Sequence, residues 1–224
     1  MILLRDILSE AVGPEFQPIK LKYKFDALEP SIDSETMKTH YNKHYKGYIE
    51  KLNASVKKQS IPVVMGEDME GIRNILASVS TYDIDIRNNG GGFFNHTLYF
   101  DNIHPDGGNP HGDILDAINR DFGSYDKFKQ SIHDAAQSQF GSGWVWLMLH
   151  NQRLYITTTP NQDNPYMDVV TDMPGYIIMA LDVWEHSYYL KYKNDRAKYV
   201  DNFFKVLCFS SLNERYSRYI NKIY

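Results

Sequence analysis

Only one of the 224 residues is a cysteine, Cys208. A single thiol closes no internal disulfide, so the fold does not depend on an oxidising compartment, and Cys208 is expected to act as a small buried hydrophobe. Basic residues are not in excess either: 24 Lys and Arg stand against 28 Asp and Glu, a formal net charge of −4. That balance offers no electrostatic footprint for nucleic acid. No apolar run approaches the ~20 residues that span a bilayer, which argues against a membrane partner. The opening MILLRDILSEAV has apolar residues at helical spacing but contains Asp6 and Glu10. These acids fit neither a secretory signal nor an acid-poor transit peptide. A cytoplasmic or otherwise intracellular protein is expected. Residues 1–19 are read as an N-terminal arm, an amphipathic helix in its first part, that docks on the body or on a partner.

What is present is the composition of an ordinary globular protein, 42% hydrophobic and 23% charged, with 17 tyrosines inviting buried hydroxyls and aromatic-lined sites. The chain can build one large or two modest domains. Helical patterns come first, over 34–54 with Ser34 as N-cap, then 71–80 and 86–103. HPDGGNPHGD (104–113) is dense in turn formers and marks the clearest boundary. Helical segments at 113–122 and 124–139 follow, then strand-like runs at 143–150, 153–160 and 175–184, and a closing helix over 194–220. No internal repeat is visible. The expected class is α+β: a helical hairpin domain over 20–105, then a mixed domain over 111–224 with a three-stranded antiparallel sheet.

Three stretches carry chemistry. HYNKHYKGY (40–48) spaces His40, His44 and Tyr48 four apart, along one helix face. NNGGGFFNH (88–96) puts three glycines inside a helical pattern, each costing about 1 kcal/mol relative to alanine. If that helix survives, something needs the vacancy, and Gly92 lies on the face of His96. DVWEH (182–186) ends an apolar run with Asp182 and adds His186 beyond Trp184. A carboxylate buried there is costly unless it is paired or bound to a metal. Three imidazoles, His40, His96 and His186, and the Asp182 carboxylate suit manganese or non-haem iron; zinc is the weaker alternative because catalytic zinc more often takes three protein ligands.

With these residues in place, the chain resembles the manganese/iron superoxide dismutase family over about residues 20–224. KFDALEPSID, HYNKHYKGYIEKLN, RNNGGGFFNHTLYF, FGSGWVWL, NQDNP and DVWEHSYYLKYKNDRAKYVDNFF carry the resemblance, in matching order. It implies dismutation of superoxide to dioxygen and hydrogen peroxide, with His40, His96, Asp182 and His186 as ligands of one metal ion per subunit. It makes His44 and Tyr48 gate residues and Gln162 the partner of solvent beside the metal. Gly92 with Gln162 is the manganese arrangement, the glycine making room for the glutamine; iron is the alternative occupant. Trp144, Trp146 and Trp184 would cage the site, and Glu185 and Tyr189 would reach a partner subunit's site in a homodimer, with a tetramer as the larger alternative. Lys43 and Arg196 are the candidates for a positive rim steering the anion.

The chain departs from the family at Phe93, where histidine is common, and at Phe100 and Phe209, where tryptophan is; the latter two would loosen the cage. Ser31, Ser187 and Ala197 are further departures. Two other readings compete. A non-haem iron oxygenase would need two adjacent open positions, which a fourth protein ligand opposes. A structural module on the same fold should have lost ligand or gate residues, and none is missing.

Overall fold

The computed structural model describes residues 14–64 and 66–222, so the expected helix over the first residues lies outside the described residues. The chain enters at the arm's last residues, which are docked: Phe16 N–H donates to Asn53 Oδ1 (2.9 Å), Asn53 Nδ2 donates back to the Phe16 carbonyl (3.0 Å), and the rings of Phe16 and Phe93 lie 5.1 Å apart.

Helix α1 (Ser34–Thr39) starts one residue earlier than expected. Asp33, not Ser34, is the N-cap, its carboxylate accepting from Thr36 N–H at 2.9 Å. It runs into a π-helical turn, His40–Tyr45, and on into α2 (Lys46–Lys58). The expected second helix is shorter: α3 covers Glu70–Leu76, and Val79–Thr81 forms a separate 3₁₀ turn. Helix α4 (Ile84–Asn102) runs unbroken through all three glycines. Helices α2 and α4 pack against one another as the helical hairpin.

After the turn-rich boundary come α5 (Asp113–Phe122) and α6 (Tyr125–Ser138), the latter capped by Ser124. Strands β1 (Gly143–His150), β2 (Arg153–Pro160) and β3 (Tyr176–Asp182) form an antiparallel sheet of order β2-β1-β3. The central strand β1 is buried along nearly its whole length. Its Trp144 pairs with Thr159 on one side and Asp182 on the other, which sets the strand-end carboxylate beside an indole.

The closing segment is not one helix. After the short α7 (Tyr189–Tyr192), it forms α8 (Arg196–Phe203) and α9 (Phe209–Tyr219). The break over 204–208 has a physical cause: that backbone pairs with the end of α4 and the loop after it, through Cys208 N–H to the Asn102 carbonyl (2.7 Å) and His104 N–H to the Val206 carbonyl (2.8 Å). Cys208 there is half-buried rather than fully buried. Buried Arg215 on α9 ties the layers, donating to the Ile178 carbonyl of β3 (2.8 Å) and to Asp101 and Asn102 of α4. No helix among the described residues is long and apolar enough to cross a membrane.

Candidate metal centre

The four predicted ligand residues converge where the hairpin meets the sheet. His40 comes from the π turn, His96 from the middle of α4, Asp182 from the last residue of β3 and His186 from the 3₁₀ turn Glu185–Ser187. One donor atom from each lies within 4.8 Å of every other. The approach is directed: Asp182 Oδ2 is 3.1 Å from His40 Nε2, 3.7 Å from His96 Nε2 and 3.0 Å from His186 Nε2. His40, His96 and Asp182 are fully buried, and neither ring nitrogen of His40, nor Nε2 of His96, has a hydrogen-bond partner. Buried polar atoms are rarely left unpaired, and a metal ion taking the imidazole lone pairs fits these orphaned rings.

Local hydrogen bonds set the ring states. His96 Nδ1 lies 2.7 Å from the Gly92 carbonyl. A carbonyl only accepts, so Nδ1 carries the proton and Nε2 presents a bare lone pair. Asp182 Oδ1 accepts from Trp184 N–H at 2.8 Å, which turns Oδ2 toward the imidazoles. Burial lowers the His40 pKa to about 4, and burial and the neighbouring imidazoles hold His96 well below the usual range. Burial alone would raise Asp182, but the charge and hydrogen bond of His186 and the nearby His40 imidazole outweigh it, and its pKa is lowered. The resting site is therefore an anionic carboxylate facing imidazoles of which His40 and His96 are neutral at pH 7, a donor set suited to a cation.

The π turn alters the expected stripe. In an α-helix four residues exceed a turn of 3.6, so successive four-residue steps drift one way. An i→i+5 turn is underwound and offsets that drift. His40 points into the core, while half-buried His44 stacks on His186 at 4.2 Å and Tyr48 lies over His96 at 5.1 Å.

Tyr48 also corrects the reading of Gly92. A side chain at Gly92 would meet the Tyr48 ring at 2.4 Å, so the vacancy houses the tyrosine rather than Gln162. The glycine that meets Gln162 is Gly91, where a Cβ would lie 2.0 Å from the Gln162 carbonyl oxygen. Gln162 itself is held through its amide. Its Oε1 accepts from Trp144 Nε1 (3.1 Å) and Asn95 Nδ2 (3.3 Å), and its Nε2 donates to the Tyr48 hydroxyl (3.0 Å). The indole N–H only donates, which fixes the amide's orientation. The Tyr48 oxygen accepts from Gln162, so its own proton is free to be donated onward. Burial and the Asp182 charge raise the Tyr48 pKa and keep it protonated.

Of the predicted cage, Trp144 meets His96 edge-on at 5.2 Å and Trp184 stacks on His186 at 5.5 Å. Trp146 stands behind Trp144 at 5.7 Å and donates to Thr159 Oγ1, so it buttresses the cage instead of lining it. Phe100 lies 5.0 Å from His40, but Phe209 packs on Tyr125 at 5.6 Å, away from the ligands. Phe93 packs between Phe16 and Tyr45. Ser187 donates to the Asp182 and Trp184 carbonyls, bracing the ligand turn. Arg196 spends its guanidinium on the carbonyls of Ala136, Gln139 and Gly141, anchoring the loop before β1, while Lys43 is exposed. Glu185 and Tyr189 are exposed beside the site.

Residues that sequence reasoning missed form the support. Asn95, fully buried, donates to both the Gln162 carbonyl (3.0 Å) and its side chain, and accepts from Asn164 Nδ2 (2.9 Å). Arg87 grips Asp163 through two hydrogen bonds of 2.7 and 2.6 Å. The available signal was an asparagine next to His96 and the polar run NQDN directly after a strand.

Comparison with known proteins agrees with this geometry. Residues 15–104 match the family described as iron/manganese superoxide dismutases, alpha-hairpin domain, and residues 110–215 match the C-terminal domain of the same family. A manganese superoxide dismutase of Acinetobacter baylyi is 41% identical over 225 residues, covering 99% of this chain and 96% of the relative. That of Listeria innocua is 42% identical over 202 residues, covering 88% and 95%, and that of Listeria ivanovii 41% over 199 residues, with the same coverage. Two matched domains meeting at a buried cluster of three histidines and an aspartate leave one assignment: the chain belongs to the iron/manganese superoxide dismutase family.

Proposed function

We propose that the chain converts superoxide to dioxygen and hydrogen peroxide at one manganese ion per chain, held by Nε2 of His40, His96 and His186 and by Asp182 Oδ2, with iron as the alternative occupant. The observation that carries this reading is the convergence of three imidazole nitrogens on one buried carboxylate oxygen with ring nitrogens left unpaired. The relatives' metal supports manganese.

The bound ion supplies reversible one-electron chemistry, trivalent to divalent and back. One superoxide gives up an electron and leaves as dioxygen; a second takes that electron and two protons and leaves as hydrogen peroxide. The protein's tasks follow from charge and protons. Asp182 favours the higher oxidation state electrostatically. Tyr48, protonated and hydrogen-bonded to Gln162, delivers a proton toward the site, and Gln162 tunes the site's proton balance through the same contact. His44, stacked on His186, narrows the approach, and Trp144 and Trp184 exclude competing ligands. Lys43 contributes positive charge near the gate, whereas the carbonyls around Arg196 favour a positioning role for that residue.

The division into a hairpin unit over 20–105 and a mixed unit over 111–224 is part of this reading. So is a homodimer, with a tetramer as the larger alternative. Phe140 is 98% exposed, Tyr189 and Leu190 nearly half so, and Arg196 ties the carbonyls flanking Phe140 to the Tyr188 hydroxyl. Large apolar groups clustered at the surface beside an active site favour a second copy covering them. Glu185 and Tyr189 would then reach the partner's site.

Metal-free protein reconstituted separately with manganese and with iron tests the proposal by metal content and superoxide consumption. Activity with manganese is expected. Activity with neither rejects the reading, and activity with iron alone rejects the manganese assignment.

A further inference from the structure

A surface cleft of about 660 Å³ leads to the gate. It is lined by Tyr48, Gln162 and Trp184 at its inner end and by Lys51, Asn88 and Asn161 among the residues farther out, with Asp85 also on its wall. Lys51 is the one cation of this lining. Neither Lys43 nor Arg196, the charges that sequence reasoning chose, lines it.

Lys51 lies three residues beyond Tyr48 on α2, so both side chains project from the same face one turn apart. It is exposed and makes no ion pair among the described residues, which leaves its charge available to an incoming anion. Asp85, at the start of α4, is likewise exposed and unpaired among the described residues, and faces the same cleft with the opposite sign. The protein carries a net charge of −4, so a monoanion meets a repulsive global field. Local charge in a cleft with low-dielectric walls focuses field lines and overrides the distant charges within about 8 Å at physiological ionic strength.

We infer that Lys51 is the anion-collecting residue of the active-site mouth, with Asp85 as its antagonist, and that the Asn88 and Asn161 amides supply neutral hydrogen-bond donors along the path. The residue sets the encounter rate with small monoanions and takes no part in electron or proton transfer. This inference rests on the dismutase reading for the identity of the anion, but not for its geometry.

The experiment uses the manganese-loaded full chain and the variants Lys51→Gln, Lys51→Glu and Asp85→Asn. All three replacements are at exposed positions, and circular dichroism and metal content verify folding. Two readouts are taken against ionic strength: kcat/KM for superoxide, and the affinity of azide, a non-reacting monoanion probe, from optical titration of the oxidised metal. Lys51→Glu is expected to lower both by about threefold or more at low salt, Lys51→Gln by less, and Asp85→Asn to raise both; the differences shrink as salt rises. A Lys51→Glu protein with unchanged kcat/KM, azide affinity and salt slope overturns the inference. A wild type that consumes no superoxide yet loses azide affinity on Lys51→Glu sinks the dismutase reading while leaving the mouth assignment standing.

Discussion

The two halves of the molecule bring their donors to the centre by opposite means. The helical half works by omission. His40 and His96 sit on packed helices, and the space around them exists because Gly91 and Gly92 carry no side chain, letting the Gln162 backbone and the Tyr48 ring press against α4. The mixed half works by addition. Asp182 and His186 lie at a strand end and a 3₁₀ turn, where backbone groups would be loose without the bonds from Trp184 N–H and the Ser187 hydroxyl. Close packing tolerates no gain of volume and a hydrogen-bonded turn tolerates no loss of partners, so the halves should fail differently when altered.

The largest effect should be the one that ignores the difference. His96→Ala removes a donor of the helical half and Asp182→Ala one of the mixed half. Both should lower metal retention more than about 100-fold, beyond the loss typical for a supporting residue, as measured by competition with a chelator. Retention by either variant would mean that one half holds the ion alone.

Gly91→Ala sharpens the comparison next. Its Cβ would meet a backbone oxygen at 2.0 Å, whereas that of Gly92→Ala would meet a side chain, the Tyr48 ring. Urea unfolding should show Gly91→Ala destabilised by about 1–3 kcal/mol, the range for overpacking. Gly92→Ala should be milder in stability but should lose the Tyr48–Gln162 hydrogen bond. Equal costs would deny that backbone contact is what separates the two positions.

Acid should act on both halves in the same direction. His40 has its folded pKa lowered from 6.5 to about 4. Between those values the unfolded chain binds the proton and the folded chain does not, so stability falls as pH falls through that window. Asp182, also lowered, adds to the loss at lower pH. The melting temperature of the metal-free protein should therefore decline from about pH 6.5 toward pH 4 and stay flat between pH 7 and 8; a rise on acidification would contradict neutral buried imidazoles.

Changes in the hydrogen-bonded support should leave the metal in place. Asn95→Ala leaves the Gln162 carbonyl without its donor and should cost about 1–3 kcal/mol while the metal stays bound. Tyr48→Phe should keep the metal and change only turnover. Metal loss in Tyr48→Phe would place that residue among the groups that hold the ion.

Three of the donor residues were readable because each disturbed a pattern, whereas His40 showed only as part of a four-residue helical spacing. Asp182 and His186 interrupt an apolar strand and its exit, and His96 follows glycines that a helix should not contain. The strands were readable from the apolar runs of β1 and β3, which are buried as such runs require. What escaped is what distant parts of the chain decide. The π turn at His40–Tyr45 has nothing unusual in its composition, since an extra residue per turn depends on what the helix packs against. The break over 204–208 arises from pairing with backbone a hundred residues earlier. The occupant of the Gly92 vacancy comes from another helix, and Asn95 reveals its role only once Gln162 is folded against it.

Anomalous diffraction from crystals of the manganese-loaded protein tests the central claim most directly. The account predicts one manganese peak per chain, at the seam between α4 and β3, coordinated by Nε2 of His40, His96 and His186 and by Asp182 Oδ2. A peak at any other place, or one lacking any of those four donors, would contradict it.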